Sequence, residues 1–263
     1  MYNYQSLKKT TGQDVAFEPS DNLYINGTAL DQLVEGYRHL TVTGRGIVSQ
    51  TVKSTSVPGR RGVWVDDVSD DERELIIKYK LEADSSSQLR DRFAQLNKVL
   101  RTVAPSGFLE LSFKDEPDFT YYGYLSGADE IEETALVVVS KFTLLVPDGY
   151  KKKLPQSSTG AISLVNAMAV LPEKITITPT GTVNQVQIIN GDKVLSFRGA
   201  YTPDRDVVVA WGADEVTITY GGRSILSELE RYSPLETFFV KNGDTITARN
   251  AKVKEVIWRD ERL

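Results

Sequence analysis

Val57-Pro58-Gly59-Arg60-Arg61-Gly62-Val63-Trp64-Val65 is the stretch from which the fold is read. Pro58 has a preset φ suited to the first corner of a turn, and Gly59 tolerates the positive φ of the second. A Thr/Ser/Val-rich run, Val48 to Val57, leads into the turn, and an apolar strand leaves it. An arm from Val48 to Trp64 is predicted. It has few residues for a core of its own and several for pairing with another surface. Val52, Val57, Pro58, Gly59, Arg60, Arg61, Gly62 and Trp64 are the candidate contact residues. The competing reading is an ordinary exposed hairpin.

The flanking sequence is mostly β. Leu75, Ile77, Tyr79 and Leu81 alternate onto one face of a strand. Phe108 to Phe113, Tyr121 to Leu125 and the β-branched run Ala135 to Val146 predict further strands. One helix interrupts them around Ser87 to Val103. Leu89, Phe93, Leu96, Leu100 and Val103 form its apolar stripe, and Ser85, Ser86 or Ser87 supplies the N-cap. Arg90, Asp91, Arg92, Gln95, Asn97 and Lys98 fall on the polar face.

Pro147 to Gly160 combines turn formers, a lysine triplet and small polar residues, and predicts a solvated linker. The boundary is placed there, with domains at 1–153 and 154–263. The second half then shows short strands at 8–12-residue spacing: Lys174 to Thr178, Val183 to Ile189, Lys193 to Arg198, Asp206 to Trp211 and Glu215 to Tyr220. Thr245 to Arg249 and Val253 to Trp258 follow, with one short helix at Ser224 to Arg231. This rhythm predicts a β-sandwich. Asn26-Gly27, Asn190-Gly191, Gly221-Gly222 and Asn242-Gly243 mark tight turns.

The 263 residues are 40% hydrophobic and 25% charged, as in globular proteins. The net charge of -5 argues against gripping nucleic acid as the main task. The absence of cysteine excludes disulfides, thiolate catalysis and cysteine–zinc sites. No apolar segment follows Met1-Tyr2-Asn3-Tyr4-Gln5-Ser6, and no apolar run reaches membrane-helix length, so neither a secretory signal nor a membrane anchor is predicted.

Chemical constellations are sparse. His39 is the only histidine, and beside Tyr37 and Leu40 it reads as structural rather than as a general base. Asp66, Asp67, Asp70, Asp71, Glu72 and Glu74 read as a solvated acidic loop, since their spacing does not match a calcium loop. Glu130, Glu132 and Glu133 stand in a turn with no second carboxylate legible across a cleft, as a glycosidase would need. Gly44-Arg45-Gly46 lacks the rest of a dinucleotide fingerprint. Phe119, Tyr121, Tyr122 and Tyr124 read as cross-strand packing rather than a sugar platform, and Trp211 and Trp258 as core or sheet-face residues. No catalytic residue, metal site or cofactor is predicted.

The order of segments resembles one family. Ile25-Asn26-Gly27-Thr28-Ala29-Leu30, then Val57-Pro58-Gly59-Arg60-Arg61-Gly62, then Phe142 to Tyr150 look like landmarks of the distal tail proteins of long, non-contractile-tailed phages. Gly149 stands where a second proline is often seen. Phe238 to Ile246 is similar, more weakly, to the family's closing hairpin, with Asn242 in a proline position. The resemblance covers residues 23 to 153 well. It implies a mainly β fold, with an N-terminal β-barrel-like domain carrying one α-helix and a C-terminal galectin-like β-sandwich. It further implies a structural hub of the tail tip or baseplate, made in the host cytoplasm, whose six copies close into a ring. Implied partners are the tail-tube protein, a tail-associated protein and baseplate or receptor-binding proteins, with DNA passing through but not specifically bound. A carbohydrate-binding module acting through the sandwich is the alternative.

Overall fold

Alternation of apolar and polar residues sets the strands, and their buried faces meet in two cores. The computed structural model describes residues 19–131, 135–212 and 215–263. The stretch Met1 to Ser6 and the pair Glu132 and Glu133 lie outside them. The first half carries β1 (Leu23–Ile25), β2 (Thr28–Ala29), β3 (Tyr37–Thr43), β4 (Gln50–Ser56), β5 (Val63–Asp70), β6 (Arg73–Glu82), β7 (Leu109–Phe113), β8 (Glu116–Ala128), β9 (Val137–Val146) and β10 (Lys151–Lys153). Helix α1 is a single turn, Leu30–Leu33, and α2 spans Ser86–Arg101.

Seven strands form one antiparallel path, β2-β1-β7-β8-β9-β6-β3. Its two end strands do not pair with each other, so the sheet stays open rather than closing into a barrel. Leu75, Ile77, Tyr79 and Leu81 are all buried, as the alternation predicts, and Leu111, Tyr121, Phe142 and Leu144 join them in one core. Helix α2 adds Leu89, Leu96 and Leu100. Ser85 caps it by accepting from the Gln88 N–H at 3.3 Å, while Gln88 Oε1 accepts from the Asp84 N–H at 2.7 Å.

Two assignments on this helix change. Val103 lies beyond the helix and is exposed. Arg92, predicted on the polar face, is buried: it pairs with Glu35 at 2.9 Å and donates to the carbonyl of Glu82. A long side chain can turn inward when carbonyl and carboxylate partners wait there, which periodicity alone does not reveal.

The second half holds β11 (Gln156–Ser158), β12 (Lys174–Pro179), β13 (Val183–Asn190), β14 (Lys193–Tyr201), β15 (Val207–Trp211), β16 (Val216–Tyr220), β17 (Arg223–Ser224), β18 (Thr247–Arg249), β19 (Ala251–Trp258) and β20 (Glu261–Arg262). A six-stranded sheet, β11-β19-β12-β15-β16-β17, faces a three-stranded one, β14-β13-β18. Ile175, Ile177, Val209 and Val256 from the first sheet share a core with Val186, Ile188, Leu195 and Phe197 from the second. The sandwich rhythm is therefore realised. The predicted helix at Ser224 to Arg231 shrinks to a 3-10 turn at Leu226–Glu228.

The segment read as a solvated linker is instead built into the structure. β10 pairs with β8, and the chain's final strand β20 returns to pair with β10. Lys151, from the supposed charge run, is buried and holds Glu116 at 2.6 Å above the ring of Phe119. A lysine stem packs on aromatic surface when a carboxylate meets its head, and Glu116, 35 positions earlier, does so.

Between the two halves sits Asp260, 1% exposed. Its carboxylate accepts from the N–H groups of Val165, Asn166 and Ala167 at 3.0–3.2 Å and from Asn166 Nδ2 at 2.7 Å, while its carbonyl accepts from the Lys153 N–H at 2.8 Å. Burial opposes its charge, but these bonds hold the carboxyl below the usual carboxylate range. Asp260→Ala is expected to cost about 2–4 kcal/mol at pH 7, by leaving buried donors unpaired. A depressed folded pKa stabilises above the unfolded value near pH 4 and loses that contribution as pH falls through the folded value. Urea unfolding of both forms should therefore show a gap at pH 7 that narrows by pH 3.

Candidate functional site

β4 and β5 form a two-stranded sheet that pairs with no other strand among the described residues. Every residue from 49 to 70 is exposed. At the tip, the Arg60 N–H donates to the Val57 carbonyl at 3.1 Å, with Gly59 at φ 81° and Gly62 at φ 84°. Proline at the first corner and glycine with positive φ at the second is the type II pattern. The Arg60 guanidinium lies 4.9 Å over the Trp64 ring.

Strand register assigns the two faces. Val52 pairs with Val68, Ser54 with Val65 and Ser56 with Val63. A bulge between Lys53 and Ser54 makes Asp66 the extra residue. It lets Val65 and Val68, three positions apart, share a face with Val52 and Val63. These four valines are 50–57% exposed. The other face is internally satisfied: Thr55 donates to Asp66 at 2.6 Å, Lys53 meets Asp67 at 3.3 Å, and Thr51 donates to Asp71 at 2.6 Å.

Of the predicted contact residues, Val57, Pro58, Gly59, Arg60, Arg61 and Gly62 gather at the tip, Val52 sits on the valine face and Trp64 on the opposite one. The arm is longer than predicted, reaching Asp70 on its return strand. Asp66, Asp67 and Asp70 are thus strand residues and not a loop. Threonine, lysine and glutamine across the strand make those carboxylates acceptable there, with Gln50 donating to Asp70 at 2.8 Å.

Sequence reasoning passed over the residue that fixes the arm's base. Arg73 opens β6 and is buried. Its Nε donates to the Gly149 carbonyl at 2.8 Å, and its Nη1 to the carbonyls of Gly44 and Gly46 at 2.8 and 3.0 Å. Two loops are thereby tied to one guanidinium. Gly44 sits against this base at φ 91°, where a Cβ would lie 1.8 Å from the Glu74 carbonyl oxygen. Arg45 beside it binds Asp115 and Glu116 at 2.8–3.0 Å, over the Phe113 ring. Nothing in the local sequence distinguishes Arg73 from a surface arginine. Its partners are all backbone groups of distant segments.

His39 is buried, 3.5 Å from Asp21, and burial holds its pKa below the ordinary value, so the ring is neutral at pH 7. Among the described residues, no cluster of His, Cys, Asp and Glu is placed to hold a metal ion, and no helix is long and apolar enough to cross a membrane. Tyr122 and Tyr124 pack against Phe108 across the strands at 6.2 and 5.0 Å. Trp258 is buried and Trp211 stacks on Phe238 at 6.1 Å. An open groove on the sandwich is lined by Thr176, Lys174, Glu255, Lys254 and Asp206 among others, with no aromatic ring in its lining. Its charges pair with each other, Lys174 with Glu255 at 2.8 Å and Lys254 with Asp206 at 2.6 Å.

Arg73→Leu is expected to lower stability by about 3 kcal/mol, since three carbonyls lose their donors. Arg60→Ala at the exposed tip should change it by less than about 0.5 kcal/mol. Denaturant midpoints of the two variants check this. Equal effects would contradict the assignment of anchor and tip.

The family described as "Phage tail protein RIFT-related domain" matches residues 30–146. A search of curated protein sequences finds no match. Among solved structures, the chain is similar to the Dit protein of phage SPP1, described as a paradigm of the hub adsorption apparatus in phages infecting Gram-positive hosts. That match has a TM-score of 0.71 and 16% identity, covering 92% of this chain and 99% of the other. The chain is also similar to a component of the phage p2 baseplate, at a TM-score of 0.51 and 10% identity, covering 87% and 91%. Residues 30–146, from the one-turn helix to the end of β9, match that family's model, and the chain as a whole has the fold of the Dit protein.

Proposed function

We propose that the protein is a structural hub of the tail tip or baseplate of a long, non-contractile-tailed phage, and that its copies close into a six-membered ring. The chain-long correspondence with a Dit hub carries this reading. The arm supplies the physical reason to assemble: an ordered hairpin exposed on both faces has surface to bury and nothing among the described residues to bury it on. The function is mechanical. The ring joins the tail tube above to the tail-associated fibre or lysin protein below, and it seats baseplate or receptor-binding proteins on its outside. It works within the virion, after synthesis in the bacterial cytoplasm, and by interface energy rather than by catalysis.

Ring closure needs two different patches per subunit, each meeting the other on a neighbour. The arm is one of them, with Arg60 and Arg61 reaching toward the neighbour's carboxylates. Each such exposed pair contributes only a few tenths to about 1 kcal/mol, so the apolar face supplies most of the energy. Light scattering and negative-stain imaging of the purified protein should show six-fold rings, and deletion of Ser54 to Gly62 should return monomers. An unchanged oligomer after deletion would remove the arm from the interface.

DNA passes through such a ring without being gripped. With a net charge of -5, the chain as a whole repels phosphate. Mixed with duplex DNA at about 50 mM salt, the ring is expected to show no tight binding, and affinity falling steeply with added salt would contradict this.

A further inference from the structure

The three-stranded sheet of the sandwich turns a polar face to solvent. Val186 and Ile188 of β13 point into the core, so Gln185 and Gln187 point outward. Register sets Gln187 between Ser196 of β14 and Arg249 of β18, and Gln185 beside Arg198. The segment 229–233 runs along the edge of β14 away from β13. There the Glu230 N–H donates to the Ser196 carbonyl at 2.8 Å, and Ser233 Oγ accepts from the Ser196 N–H at 3.1 Å. Glu230 and Tyr232 therefore stand at the rim of this face.

The side chains are tied at one end and open at the other. Gln185 Nε2 donates to Ser196 Oγ at 2.9 Å and to Glu230 Oε1 at 3.3 Å, and Gln187 Nε2 donates to Ser196 Oγ at 3.3 Å. Arg198 Nε meets Glu230 Oε1 at 2.9 Å. The two amide oxygens are left as acceptors and the Nη groups of Arg198 as donors. Groups already held in place bind a ligand with little further loss of freedom. A sugar hydroxyl donates and accepts at once, which fixed acceptors beside fixed donors satisfy. Tyr232 is 91% exposed, in a turn closed by the Ser233 N–H on the Glu230 carbonyl at 3.0 Å. An open ring at the rim of such a face suits the apolar side of a pyranose. Charge narrows the class. Glu230 balances one guanidinium, while no ion pair among the described residues uses Arg231 or Arg249. In a chain of net charge -5, this excess of cations is local. An arginine fork fits a carboxylate or a phosphate. The groove on the other sheet differs on both counts, with no ring in its lining and with its lysines paired.

We propose that the outer face of β13, β14 and β18 binds an acidic saccharide, one that carries a carboxylate or a phosphate. Its ring hydroxyls lie on Gln185, Gln187 and Arg198, its acid group on Arg249, and one sugar face on Tyr232. The site does not depend on ring closure, so it stands or falls apart from the hub reading.

The full chain, applied to an array of neutral, uronate-bearing and phosphate-bearing bacterial polysaccharides, should bind acidic members and pass over neutral ones. Whether the uronates or the phosphates are held identifies the source of the acid group. Tyr232→Ala should weaken binding about fivefold, and Arg249→Ala about tenfold. Lys254→Ala, in the groove of the other sheet, should leave binding unchanged. All three positions are exposed, and equal melting temperatures show that the variants keep the fold. Binding to no member, equal binding to neutral members, or displacement by an equal concentration of inorganic phosphate would overturn the proposal. So would a loss with Lys254→Ala as large as that with Arg249→Ala, which would move the site to the other sheet.

Discussion

A two-stranded sheet that buries neither face cannot stabilise itself through burial, and the rest of this molecule is arranged around that constraint. Twenty-two consecutive residues, 49 to 70, lie exposed, yet the hairpin keeps a defined register and a bulge. Its polar face is held by hydrogen bonds and its base by the Arg73 clamp. Its valine face is covered by nothing among the described residues. Covering the exposed half of one valine contributes about 0.8 kcal/mol, so the four together offer on the order of 3 kcal/mol before the cost of association. That is a useful driving force for an assembly in which each subunit makes the contact twice, once as donor and once as acceptor.

The remainder of the fold gives the arm a rigid mount. Arg73 begins β6, and β6 lies between β3 and β9 in the main sheet. The same guanidinium holds the carbonyls of Gly44 and Gly46 before the arm and of Gly149 between β9 and β10. The arm's base is therefore tied to the segment that leads into the sandwich. Beyond it, β20 returns to β10 and Asp260 ties the Val165–Ala167 loop to the junction. These backbone-directed bonds stiffen the path from arm to sandwich.

Much of this was legible in the sequence, for physical reasons. Strands such as β6 declare themselves by alternation because one face is buried and the other is not. The tip turn declares itself because only glycine accepts the φ that Gly59 adopts cheaply. What stayed hidden depends on distant backbone. Arg73 binds only carbonyls, Arg92 turns inward to the Glu82 carbonyl and to Glu35, and Lys151 is buried by a carboxylate far off in the chain. Composition made each look like a solvated cation. The valine face was hidden for a related reason: the bulge at Asp66 and Asp67 breaks the alternation, so Val65 and Val68 seem to face opposite ways until register is known. The resemblance to distal tail proteins was carried by the order of motifs, and the fold comparison bears it out.

The central claim is that the arm is completed by another copy of the chain. Amide hydrogen exchange measured on monomer and assembled fractions tests it most directly. Strand amides of 50–56 and 63–70 should exchange fast in the monomer and become protected in the assembled state, while β6 and β9 amides stay protected in both. Equal arm protection in the two fractions would mean the hairpin stands alone, and would contradict the claim.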